Sequence, residues 1–289
     1  MTGLLLAAEG SPLNHVVQHP IVEWHVEWLN LTILSNHIIM QIIAGLLLLV
    51  VIPLALRRRA GDDEIGRLVP RGLGNAIEGL CAALRTHVCE PVLGQYTDRF
   101  CPYIWSAFFF ILTCNLLGII PLGAWTPFWG HGHYLGGTAT GNIWVTGTLA
   151  VCTLFMIVYS GLKTHGMAYV KHFFMGPPGL NVFIAFLEVV GLVAKTFALA
   201  VRLFANMIAG HILLAVLLSF IGMAAQALGN GPALLISIPI VLGSVAINLL
   251  EIFVAFLQAF IFTFLSAVFI GMAVNIHHDH EEHHEAHAA

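Results

Sequence analysis

Between Leu187 and Leu214 the chain reads LEVVGLVAKTFALAVRLFANMIAGHILL, and inside this apolar run stand Glu188, Lys195, Arg202, Asn206 and His211. A segment of that length crosses the roughly 30 Å hydrocarbon core of a bilayer. Ionisable groups are costly there. An arginine near the centre costs about 2.5–3.5 kcal/mol on insertion scales, so it normally faces protein or water and has a partner. Residues 188, 195 and 202 are seven apart and 206 is four further on, which places four polar side chains along one stripe of a helix. His211 follows near the same side, about 13 Å beyond Arg202 at 1.5 Å per residue.

A second polar set, Glu251 and Gln258, stands seven residues apart in another apolar run. Gly229-Asn230-Gly231-Pro232 between the runs is a strong turn signal. If the runs form an antiparallel hairpin, facing residues have numbers adding to about 460, so that Arg202 meets Gln258 and His211 meets Glu251. An imidazole opposite a carboxylate inside a membrane is a proton site, because either group can titrate near neutral pH in such surroundings. Gln258 can hydrogen-bond a guanidinium without neutralising it, leaving the charge of Arg202 for a partner on another chain. Glu188 lies to one side of that charge and the His211/Glu251 pair to the other. Two half-paths separated by a fixed cation would let protons reach a moving carboxylate from one side and leave to the other, while the cation blocks a direct leak.

The elements that must position these groups follow from composition. The chain has 289 residues, 58% hydrophobic and 9% charged, which predicts an all-α integral membrane protein with five to six membrane helices. Residues 1–36 form an N-terminal segment with Trp24 and Trp28 at the interface, and the N-terminus lacks the basic start of a signal peptide. Residues 37–276 form a single membrane domain with spans at about 37–56, 102–122, 142–162, 181–228 and 233–276. Residues 75–96 are too polar to span unaided and read as an interfacial helix or a re-entrant hairpin arm. The last two runs are each about twice the length a perpendicular helix needs, with no internal turn, so each reads as one long tilted helix. Arg57, Arg58, Arg59, Arg67 and Arg71 mark a cytoplasmic side, as do Lys163 and Lys171, while the loop 123–141 has neither Lys nor Arg. By the positive-inside rule the N-terminus is outside and the C-terminus cytoplasmic. The tail, 277–289, is rich in histidine and acid and reads as solvated. Five scattered cysteines without a C-x-x-C pair read as reduced packing residues.

The run A-V-R-L-F-A-N-M-I-A-G-H (200–211), the L-E…K stretch (187–195), L-Q-A-F-I-F (257–262) and N-L-L-G-I-I-P (115–121) closely resemble subunit a of the rotary F-type ATP synthases. The resemblance covers the order of spans from about 37 to 276. It implies that Arg202 is the stator charge facing the carboxylate of a ring of c subunits. Asn206, His211, Glu251 and Gln258 would belong to the outer half-channel, with Asn115 beside them, and Glu188 and Lys195 to the cytoplasmic exit. It also implies a single copy per complex, peripheral-stalk b subunits and lipid as neighbours, an indirect link to the F1 sector, no cofactor, metal or nucleic acid, and a place in an energy-coupling membrane of the bacterial inner-membrane kind. Many bacterial members carry an acid where His211 stands and a histidine where Glu251 stands; this chain has the exchanged, mitochondrial arrangement. Gly118 stands where some members have an acid, so the outer route would rely on Asn115, Asn142 or water.

Rival readings are a histidine-rich membrane metalloenzyme of the desaturase kind and a stand-alone ion-coupled transporter. The first needs clustered H-x-x-H-H ligands, whereas the sixteen histidines are spread along the chain; the second predicts an internal repeat, which is missing. There is no phosphate-binding Gly-x-x-x-x-Gly-Lys-Ser/Thr loop, so the chain has no nucleotide chemistry of its own. Asn206 and Gln258 can also serve merely to bond helix to helix, and Glu188 and Lys195 can simply be solvated near the inner interface.

Overall fold

A computed structural model of the chain describes residues 20–26, 29–56, 72–120, 139–167, 169 and 180–275. The expectations for the N-terminus before Pro20, the arginine cluster of 57–71, the outer loop after Ile120, Lys171 and the histidine-rich tail fall outside those residues. Apart from one two-stranded hairpin, the described elements are helical. They are β1 (Pro20–Val26), β2 (Leu29–Ser35), α1 (Asn36–Leu56), α2 (Leu73–Leu84), α3 (Glu90–Leu93), α4 (Thr97–Ile119), α5 (Ile143–His165), α6 (Asn181–Leu228) and α7 (Asn230–Val274). Among the described residues, five helical stretches are long and apolar enough to cross a membrane: His37–Leu56, Leu73–Ile119, Ile143–His165, Asn181–Ala227 and Leu234–Val274. A bilayer core offers no water to bond a free N–H or C=O, so the helix, which satisfies its own backbone, is the form such apolar runs take. Outward faces are accordingly apolar, with Leu49, Val182 and Leu235 each more than 70% exposed.

The chain folds as two compact units, and α1, α4, α5, α6 and α7 each give a segment to both. The first unit contains residues up to Leu46, Phe110–Thr146 and Val201–Gln258. Its β1 and β2 pair antiparallel, with Trp24 opposite Leu31 and His25 opposite Asn30. Met40 and Ala44 of α1, Cys114 of α4 and Ala139 form a buried cluster flanked by Phe110 and Leu117. The second halves of α6 and first halves of α7 form an antiparallel hairpin whose turn is narrower than the sequence suggests. Gly229 alone, at φ 79°, lies outside the helices. Asn230, Gly231 and Pro232 belong to the first turn of α7, where a proline lacks only an N–H that would be unbonded anyway. Leu203 and Met207 on α6 and Ser244, Glu251, Ala255 and Gln258 on α7 are buried. The α7 positions 244, 251, 255 and 258 lie at intervals of seven, four and three, the spacing of one helix face.

The second unit contains Leu47–Phe109, Gly147–Ala200 and Ala259 onward. Here the segment read as one helix over 75–96 is interrupted: a π-helical turn at Arg85–Cys89 follows α2, then α3 and a 3-10 turn at Gly94–Tyr96. Gly94 at φ 53° turns the chain back, and glycine takes that left-handed conformation without the steric cost of a Cβ. The resulting helical hairpin is held by Trp105 Nε1 donating to the Cys81 carbonyl at 3.0 Å and by Thr97 Oγ1 donating to the Gly94 carbonyl at 2.7 Å. Arg85 meets Asp98 at 2.6 Å and Glu90 at 3.3 Å, exposed pairs that contribute little to stability. The end of α7 is pinned in the same unit. Asn275 donates to the Val92 carbonyl at 3.1 Å, and the Val274 carbonyl accepts from His165 at 2.8 Å. All five cysteines are free; Cys89, Cys101 and Cys114 are buried, whereas Cys152 is exposed rather than a packing residue.

Candidate functional site

In the first unit α6 and α7 bring four of the sequence-derived residues into two facing pairs. His211 Nδ1 lies 3.6 Å from Glu251 Oε1, with the Glu251 side chain 5% exposed. Asn206 Nδ2 donates to Gln258 Oε1 at 3.0 Å. The first pair is the one the register of 460 calls for. The second differs: Gln258 binds Asn206, one turn further along α6 than Arg202. Side-chain direction explains the difference. Side chains on a helix lean toward its N-terminus, so in an antiparallel pair the contacts depart from the equal-height positions that a simple number sum marks. An amide pair of this kind between membrane helices contributes about 0.6–2 kcal/mol.

Arg202 is exposed and, among the described residues, makes no hydrogen bond or ion pair. Its neighbours one turn either side, Leu199 and Asn206, are buried and exposed respectively, so the guanidinium sits at the rim of the helix face that packs inward. Glu251 is the contrasting charge. Its two oxygens accept no hydrogen bond from the described residues, and the His211 imidazole is the titratable group within reach. A buried carboxylate without donors is expensive as an anion, and the imidazole 3.6 Å away is the titratable group set against it.

Three residues outside the sequence-derived set shape this site. A Cβ on Gly210 would lie 2.9 Å from Glu251 Oε1, so the glycine is what lets the carboxylate approach α6. Its signal was present as a small residue beside a polar one on a membrane helix, the pattern of close helix approach. Asn115 is fully buried; its Nδ2 donates to the Ala255 carbonyl at 3.3 Å and its Oδ1 accepts from Thr140 Oγ1 at 2.8 Å. Thr140 stands outside any apolar run and carries no periodic signal, and Ala255 shares the face of Glu251 and Gln258 but has no polar side chain to mark it. Asn115 therefore reaches α7 one turn from Glu251 and just under one turn from Gln258.

Glu188 and Lys195 belong to the second unit and are both exposed. Lys195 Nζ stands 5.6 Å from the centroid of the Phe269 ring, a cation–π contact of about 0.5–1 kcal/mol at an exposed site. Glu188 lies close enough to Tyr169 to act on it: burial first, then the carboxylate, pushes the phenol above its ordinary value. No group of three or more metal-ligating side chains gathers among the described residues.

Membrane-length helices carrying an acid–imidazole pair, an amide pair and an exposed arginine on one hairpin define a polytopic membrane protein with a polar stripe inside apolar helices. A sequence-family model for the ATP synthase A chain matches residues 38–271, and the chain belongs to that family. Over 250 residues it is 43% identical to "ATP synthase subunit a 2" of Prosthecochloris aestuarii, covering 86% of this chain and 70% of that protein. It is 40% identical over 252 residues to "ATP synthase subunit a" of Pelodictyon phaeoclathratiforme, covering 86% and 68%. With the protein of that name from an Anaeromyxobacter species the identity is 39% over 283 residues, 96% of this chain but 62% of the relative.

Proposed function

We infer that this chain is the proton-translocating stator subunit of a rotary ATP synthase, working in the membrane sector beside a ring of carboxylate-bearing c subunits. The reading rests chiefly on one observation: Arg202 is exposed and has no partner among the described residues, while Glu251 on the facing helix lies opposite His211. A cation so placed suits an anion brought by another chain. Protons entering from the outer face pass the His211/Glu251 pair and the Asn206/Gln258 pair, load a ring carboxylate, and leave toward the cytoplasm past Glu188 and Lys195 after the ring has turned. Arg202 separates the two routes by repelling a proton that would pass directly and by favouring the ionised ring carboxylate. One proton crossing 100 mV gains about 2.3 kcal/mol, so several must cross for each ATP, which a many-membered ring provides. Peripheral b subunits hold the chain against rotation and connect it to the F1 sector, where nucleotide is handled. Residues 37–276 act as a single membrane domain, with residues 1–36 outside and the tail in the cytoplasm. Since α6 and α7 at 1.5 Å per residue far exceed a 30 Å core, both are strongly tilted within it.

The test is ATP-driven proton pumping in inverted vesicles carrying the assembled complex with Arg202→Ala. Pumping is expected to stop while membrane-bound ATP hydrolysis persists. Normal pumping in that variant would refute the assignment.

A further inference from the structure

We propose that Thr140 is a positioning residue for the proton route, a role that rests on the function inferred above. Thr140 is fully buried in the 3-10 turn Ala139–Gly141 that leads into α5. The turn is fixed at both sides: Ala139 packs into the cluster of Met40, Ala44 and Cys114, and Asn142 caps α5 by accepting the Trp144 N–H at 2.9 Å on its side-chain oxygen. From this anchored turn the Thr140 hydroxyl donates to Asn115 Oδ1 at 2.8 Å, which leaves the Asn115 amide N–H₂ as the group facing α7, where it donates to the Ala255 carbonyl. An asparagine amide can sit either way round, and the neighbouring donor decides which.

Ala255 is four residues after Glu251 and three before Gln258, on the same buried face. The chain of contacts Thr140–Asn115–Ala255 therefore sets the height and rotation of α7 at the point from which both polar pairs are presented to α6. Without the hydroxyl, Asn115 keeps a buried acceptor with no donor, and the amide must shift to reach one, which loosens its bond to the Ala255 carbonyl. With that bond weakened, α7 is free to shift. Thr140 touches neither the proton nor the ring; it acts through Asn115.

The experiment uses the assembled complex in inverted vesicles, with pumping normalised to membrane-bound ATP hydrolysis. Thr140→Val, which keeps the shape and removes the hydroxyl, is expected to lower pumping about tenfold, the scale of one buried acceptor left unbonded. The pH profile of the remaining pumping should move, because His211 and Glu251 no longer face each other as before with Arg202 fixed on α6. Thr140→Ser should restore both. In an Asn115→Ala background Thr140→Val should add nothing further, since the contact it removes is already gone. If the valine variant assembles too poorly to measure, Thr140→Ala takes its place in the same comparison. Native pumping in these variants, an unchanged pH profile, or full additivity with Asn115→Ala would overturn the proposal. Because Arg202→Ala is run alongside, its continued pumping would instead overturn the functional reading beneath it.

Discussion

Gly210 gives the sharpest quantitative expectation. An alanine there brings its Cβ to 2.9 Å from Glu251 Oε1 and 3.2 Å from Cδ, whereas ordinary contact begins at 3.4 Å. The carboxylate must therefore retreat by about half an ångström, which its flexible end can do at low cost. Gly210 adjoins His211, so the retreat lengthens the present 3.6 Å separation to roughly 4.1 Å. With an effective dielectric near 20, the attraction between the charged forms falls by about 0.6 kcal/mol, close to a threefold effect in equilibrium. Replacing glycine within a helix by alanine meanwhile contributes up to about 1 kcal/mol of helix stability. Gly210→Ala should thus assemble normally and pump about two- to threefold more slowly, and Gly210→Val, which demands a larger retreat, should lose more than tenfold. Pumping normalised to membrane-bound hydrolysis measures both. A valine variant that pumps like the native chain would refute the idea that close approach of Glu251 to α6 matters.

Two further expectations follow from the same coordinates. Exchanging His211 and Glu251 together keeps one acid and one imidazole in the facing pair, so the double variant should pump better than either single change; equal damage would remove the facing-pair interpretation. Gly271→Ala places a Cβ 2.6 Å from the Val92 carbonyl oxygen, a backbone atom that cannot swing aside. That variant should cost about 1–3 kcal/mol by overpacking, visible as a lower thermal midpoint of the solubilised complex, and an unchanged midpoint would contradict the packing described.

The sequence made long-range features legible where a strong physical constraint left one solution. The apolar runs 181–228 and 233–276 could only be helices in a membrane, and His211 and Glu251 could be matched because both are rare there and the turn between them is marked by glycine. Finer features obeyed weaker rules. α4 begins at Thr97 rather than near Pro102 because Asp98 suits a helix N-terminus, although the polar run around it looks like a loop. The π-turn at Arg85–Cys89 leaves no mark on periodicity over so few residues. Gln258 was matched to Arg202 by height, while its real partner, Asn206, is decided by side-chain direction and packing. Thr140 was invisible for a simpler reason: its role depends on a contact with Asn115, 25 residues away, that no local pattern encodes.

The guanidinium on α6, without a partner among the described residues, also bears on how such a complex is built. A solitary copy of this chain must snorkel, thin the lipid around it or draw in water to keep Arg202 solvated, a burden of about 2.5–3.5 kcal/mol on insertion scales. Arrival of an anionic neighbour relieves it. On the function inferred above, the same residue would also disfavour orphan copies and favour incorporation beside a partner that brings an anion.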